Sequence, residues 1–193
     1  MKSFNFHCQG ESHKAIDKVC QDFSYSDVDE NGIGIAIVCD GHGGKRYFRS
    51  DIGAKFATEI AEQNIKVFLK EIDENLFANQ PYTPKTAIQT EIDIGDFEKE
   101  TLLDKAFRQL FASIIGRWHS EIIFHAKNNP LTDKEKETVE QRYQDEFSRG
   151  NSIEKNYGCT LMAYVCTPKF WFAFHIGDGK CISFDENATW KEP

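Results

Sequence analysis

A chain of 193 residues suits a single domain, and 40% apolar residues with 16 Phe supply the bulk for a core. Asp and Glu number 31 against 23 Lys and Arg, a net charge of −8. That balance argues against nucleic acid and anionic membranes as partners, because both are gripped through clustered basic groups.

Residues 3–8 alternate, with Phe4, Phe6 and Cys8 on one side, and so predict a first strand. Residues 21–26 and 33–39 read as two more strands, joined by the turn formers of residues 27–32. The run from Ile33 to Cys39 is apolar on both faces, which predicts a central, covered strand. After Gly43 and Gly44 the period becomes helical: Phe48, Ile52, Phe56, Ile60, Ile65, Phe68 and Leu69 mark one stripe. Pro81 and Pro84 make residues 78–98 an insertion loop. Leu102, Leu103, Ala106, Leu110, Ile114, Trp118 and Ile122 predict a core-facing helix over about 99–127. The charged residues 131–149 read as a solvated helix. Strands return at 158–166, 169–177 and 180–185, with Phe170, Phe172, Phe174 and Ile176 on one face of the second. Strands, two long helices and strands again argue for an α+β fold in which helices cover sheets.

No apolar run is long enough to span a membrane, and the segment from Met1 to His7 lacks the apolar block of a secretion signal. The cysteines are Cys8, Cys20, Cys39, Cys159, Cys166 and Cys181, with no CxxC pair. They are read as reduced, buried thiols of a cytoplasmic protein, the alternative being a disulfide framework.

Three segments carry chemistry. Val38-Cys39-Asp40-Gly41-His42-Gly43-Gly44 ends an apolar strand in a carboxylate. A carboxylate at a strand tip is rigidly held and offers hard oxygens to magnesium or manganese. The flanking glycines let backbone and incoming groups approach closely, and His42 can give a proton to a leaving group. Read alone, the segment is equally a glycine-rich turn. Gly158-Cys159-Thr160 opens a later strand, and Gly177-Asp178-Gly179-Lys180 follows the next one. Gln21-Asp22 opens the strand paired with that of Asp40. Asp27-x-Asp29-x-Asn31-Gly32 looks like the start of a calcium loop, but its twelfth position is Val38 where a Glu is needed, so it reads as a hairpin turn.

In order and spacing these elements closely resemble the metal-dependent serine/threonine phosphatases of the protein phosphatase 2C family. The early stretch, Gly10-Glu11-Ser12-His13 through Cys20-Gln21-Asp22, also resembles a bacterial branch of it. The resemblance implies a two-layer antiparallel β-sandwich flanked by helical pairs, with residues 1–193 forming the amino-terminal part of one catalytic domain. It implies two magnesium or manganese ions and direct attack of a metal-activated water on a phosphoserine or phosphothreonine of a protein substrate. Asp40 matches the bridging carboxylate, the Gly41 carbonyl and Asp22 match metal ligands, His42 the general acid, and Asp178 a site-organising residue.

The match departs from the family pattern at four places. Gln21 stands where the family usually has Glu, Asp17 where many members have a phosphate-gripping Arg, and Gly179-Lys180 where Ser-Arg is usual. His13, Lys14 and Lys18 are the substitutes for that grip, none with the bidentate fork of Arg. The later metal aspartates of the family have no counterpart in the 193 residues, so a truncated, inactive piece with exposed sheet edges open to dimerisation is expected. A pseudo-phosphatase acting as a binding or regulatory module is the alternative reading.

Overall fold

The computed structural model describes residues 2–9, 11, 19–78 and 101–179, and the backbone of 183–184 and 190–191. Four strands make one antiparallel sheet in the order β1–β2–β3–β4: β1 Phe23–Val28, β2 Gly34–Cys39, β3 Leu161–Cys166 and β4 Trp171–Ile176. β1 and β2 are a hairpin with Phe23 opposite Cys39 and Val28 opposite Gly34. Its turn rests on Asp29, whose Oδ1 accepts the N–H groups of Asn31 at 2.9 Å and Ile33 at 2.8 Å, while Gly32 takes φ +80°. β3 then joins β2 from far along the chain, Gly34 opposite Cys166 and Val38 opposite Met162. β5 Ser183–Phe184 and β6 Trp190–Lys191 form a separate two-stranded ribbon.

Two long helices, α1 Ser50–Glu71 and α2 Leu102–Asn128, cover one face of the sheet. Ala54, Ala57 and Ala61 are fully buried on α1, and their small side chains let it lie close to the strands. Phe68 of α1, Phe107 of α2 and Phe172 of β4 meet at ring separations of 5.2–5.6 Å, and Phe77 stacks on Phe170 at 3.7 Å. This aromatic seam locks both helices to the sheet. Thr101 starts α2 with a capping box: its hydroxyl accepts the Asp104 N–H at 3.0 Å, and the Asp104 carboxylate accepts the Thr101 N–H at 2.9 Å.

The stripe on α1 serves two cores rather than one. Ile65 and Phe68 enter the main core, whereas Ile52 and Phe56, with Phe48 just before the helix, face a second cluster of Ile122, Ala126, Phe147 and Tyr157. That cluster is closed by residues 131–149, which are two short helices, α3 Asp133–Thr138 and α4 Gln141–Ser148, with Val139 and Phe147 buried. The expectation of one solvated helix is therefore corrected. The segment is tied down by Arg49, 3% exposed. Arg49 donates Nε and Nη2 to the two Glu135 oxygens at 2.6 and 2.9 Å, Nη1 to the Asn129 carbonyl at 2.8 Å and Tyr157 Oη at 3.0 Å, and Nη2 to the Pro130 carbonyl at 3.2 Å. All five guanidinium N–H groups are thereby used.

Further expectations are corrected. Residues 3–8 are not a strand: Phe4 and Phe6 are exposed, and the segment meets β1 through the Asn5 side chain, which donates to the Ser24 carbonyl and accepts the Ser26 N–H. β2 is central but covered on one face only, with Ala36 and Val38 exposed among the described residues. Leu102 is exposed and Phe107 takes the core position instead, because the apolar face of α2 is set by where α1 and β4 lie. Of the thiols expected to be buried, Cys39 and Cys159 are, but Cys8 is exposed. The insertion loop, from 79 onward, and Cys181 lie outside the described residues.

Candidate active site

The tip of β2 is held by the opening of β3. Thr160 grips Asp40 twice: its N–H donates to the Asp40 carbonyl at 2.8 Å, and its hydroxyl accepts the Asp40 N–H at 3.1 Å. One step on, Gly41 bridges to Cys159. With its backbone occupied in this way, the Asp40 side chain is left exposed at the strand end. Asp22 is also exposed, at the neighbouring tip of β1. Gly177, at φ +106°, folds over Thr160 so closely that a Cβ would lie 2.9 Å from its Cγ2. Thr160 thus links Asp40 to the turn carrying the exposed Asp178.

His42 is fixed from several sides. Its N–H donates to the Gly158 carbonyl at 3.0 Å. Its carbonyl accepts Gln21 Nε2 at 3.0 Å and Ser50 Oγ at 3.0 Å. Its ring meets Tyr47 edge-on at 4.7 Å. Glycine at 158 permits this packing, since a Cβ there would sit 2.8 Å from His42 Cδ2 and 3.0 Å from Tyr47 Cδ1. Gly41 is equally confined: a Cβ would meet the Gln21 carbonyl oxygen at 2.4 Å and the Ser50 carbonyl at 2.9 Å.

Gln21, 6% exposed, turns its amide inward rather than toward the carboxylates. Nε2 also donates to Ser50 Oγ and, at 3.4 Å, to the Tyr47 carbonyl. Behind the loop lie two buried thiols, Cys39 and Cys159, and Thr58 donates to Cys39 Sγ at 3.1 Å. Hydrogen bonding to Cys39, burial and the nearby Asp40 charge push the Cys159 thiol far up, so it stays protonated and unreactive.

Of the residues proposed from sequence, Asp40, Gly41 and His42 form one loop braced by Gly158 and Thr160, while Asp22 precedes β1 and Asp178 follows β4. His13, Lys14 and Lys18 lie outside the described residues. Sequence reading assigned no part to Ser50, Tyr47 or Thr160, whose partners lie up to 120 positions away. The spacing of Gly158-Cys159-Thr160 before a strand was the signal for Thr160.

The oxygen donors here, Asp40, Asp22 and the Gly41 carbonyl, fit magnesium or manganese in kind. Buried Gln21 Oε1 has no donor among the described residues, an unmet acceptor that suits a nearby water. Among the described residues, however, no three His, Cys, Asp or Glu side chains gather as a metal cluster, so the set is partial.

A family model described as Protein phosphatase 2C matches residues 9–193. The chain belongs to the protein phosphatase 2C family. No curated protein and no solved structure matches it at a significant level. Among the described residues no helix is long and apolar enough to cross a membrane.

Proposed function

We propose that this chain, as the amino-terminal part of one catalytic domain, serves hydrolysis of phosphoserine and phosphothreonine esters in proteins once the intact protein completes the site. The observation that carries the reading is the loop Asp40-Gly41-His42, pinned between Thr160, Gly158, Gln21 and Ser50 so that an exposed carboxylate and a fixed imidazole stand at one strand end. Asp40, the Gly41 carbonyl and Asp22 are the residues to hold magnesium or manganese, two ions in the full site. Such ions, when bound, lower the pKa of water and neutralise phosphoryl charge. Water adds to phosphorus as the bond to the seryl or threonyl oxygen breaks, and His42 protonates that oxygen. Asp178 organises the turn beside Asp40, and His13, Lys14 and Lys18 are the candidates for gripping phosphate.

The outer sheet face, where Val38, Tyr164 and Trp171 are exposed, supports a second sheet packed there in a β-sandwich. A cytoplasmic location and pairing of copies through sheet edges complete this reading. The pseudo-phosphatase reading is favoured by one observation, the inward amide of Gln21 in place of a metal-facing acid.

The test is manganese-dependent phosphate release from a phosphothreonine peptide by the intact protein, with Asp40→Asn and a chelator as controls. Release lost in both controls is expected. Binding of the phosphopeptide without release, unaffected by Asp40→Asn, identifies the binding module instead.

A further inference from the structure

The structure assigns Gln21 a positioning role: through the His42 carbonyl it sets where the imidazole stands, and it does so as a hydrogen-bond donor. This rests on the phosphatase reading for its consequence, but not for its geometry. Three acceptors surround Gln21 Nε2: the His42 carbonyl, the Tyr47 carbonyl and Ser50 Oγ. Ser50, fully buried, passes its own proton to the same His42 carbonyl at 3.0 Å. That carbonyl therefore receives two donors, one per lone pair. The backbone of Gln21 joins in, since its carbonyl accepts the Gly41 N–H at 3.2 Å. One residue thus holds the loop on both sides of the Gly41–His42 peptide.

A carboxylate at position 21 is a poor replacement. It has the same shape but only acceptors, and it would face two carbonyl oxygens that it cannot satisfy. It would also draw the Ser50 proton away from His42. The amide is therefore a requirement of this loop rather than a weakened metal ligand. Restoring an acid at position 21 is expected to harm the site.

Gln21→Met keeps the volume without the donor, Gln21→Glu keeps the shape with the wrong polarity, and Ser50→Ala removes the second donor with the least risk to folding. Each is compared with wild type by thermal melt, by hydrogen exchange across residues 39–47, and by kinetics on two esters. A phosphothreonine peptide needs a proton on its leaving oxygen, whereas p-nitrophenyl phosphate does not. The expected result is faster exchange across the loop in every folded variant. The kcat on the peptide falls roughly 10–100-fold, with KM little changed and p-nitrophenyl phosphate hydrolysis nearly unaffected. Gln21→Glu does not tighten manganese binding by calorimetry. Unchanged exchange in folded Gln21→Met and Ser50→Ala overturns the proposal. So does an equal loss on both esters, or a gain in activity or manganese affinity in Gln21→Glu. The kinetics are run on the intact protein: if its wild type hydrolyses neither ester, the phosphatase reading fails, and the exchange data alone uphold or overturn the pinning of His42.

Discussion

Arg49 shows how one buried side chain decides the standing of a whole segment. Residues 131–149 are charged enough to float in solvent, yet Glu135 is clamped by both arms of the guanidinium, and Phe147 lies under its face at 4.7 Å. Removing Arg49 takes away the donor to the carbonyls of Asn129 and Pro130, and leaves Glu135 with Thr132 and Tyr157 Oη with His125. Arg49→Met is expected to cost about 3–5 kcal/mol in urea unfolding, as for other broken buried ion pairs. The pair also predicts a pH dependence. Burial works to raise the Glu135 carboxyl, but hydrogen bonds from Arg49 and Thr132 outweigh it and hold the group below its ordinary value of 4.5. A carboxyl depressed on folding stabilises above its unfolded pKa, and that contribution is lost as pH falls through the lower folded value. The urea midpoint of wild type should therefore drop on acidification below that ordinary value. Arg49→Met should show a smaller drop, since Glu135 then has only the Thr132 hydrogen bonds to set against burial.

The helices illustrate which patterns carry over from sequence to structure. α1 and α2 were both legible from the spacing of their apolar residues, but their faces were not. Leu102 sits at the first turn of α2, exposed, and the first buried positions are Leu103 and Phe107. The boundary is set by the Thr101–Asp104 capping box, in which each residue satisfies the other's backbone N–H. Thr101→Ala should destabilise the protein by about 1 kcal/mol, read as a lower melting temperature with the folded spectrum kept. The alternation at residues 3–8 misled for the opposite reason. Period two is necessary for a strand but not sufficient, because a strand also needs a backbone partner. The Asn5 side chain takes up the Ser24 carbonyl and the Ser26 N–H that such a partner would have used.

The sheet and its two covering helices stand or fall with the aromatic seam. Phe172 on β4 touches rings from α1 and α2, Phe68 at 5.6 Å and Phe107 at 5.2 Å, and is 8% exposed. Phe172→Ala should cost about 3–5 kcal/mol and loosen both helices together. Equilibrium unfolding with fluorescence and circular dichroism as separate probes would show whether the transition stays single.

Local chemistry was enough to read the α+β class, both long helices and the Asp40-Gly41-His42 loop. Periodicity, turn formers and a carboxylate at a strand end are properties of neighbours in the chain. Pairing is not such a property. The placement of β3 beside β2, the double grip of Thr160 on Asp40 and the closing of the second core by Arg49 join positions 80 to 132 residues apart. Gln21 makes the point most directly. Against the family pattern it was an amide standing where Glu is usual. Folded, its amide is turned inward against three acceptors that converge from the loop and the start of α1. Only the tertiary structure brings those oxygens to one place, and their polarity, not that of the residue alone, makes a donor fit there and a carboxylate clash.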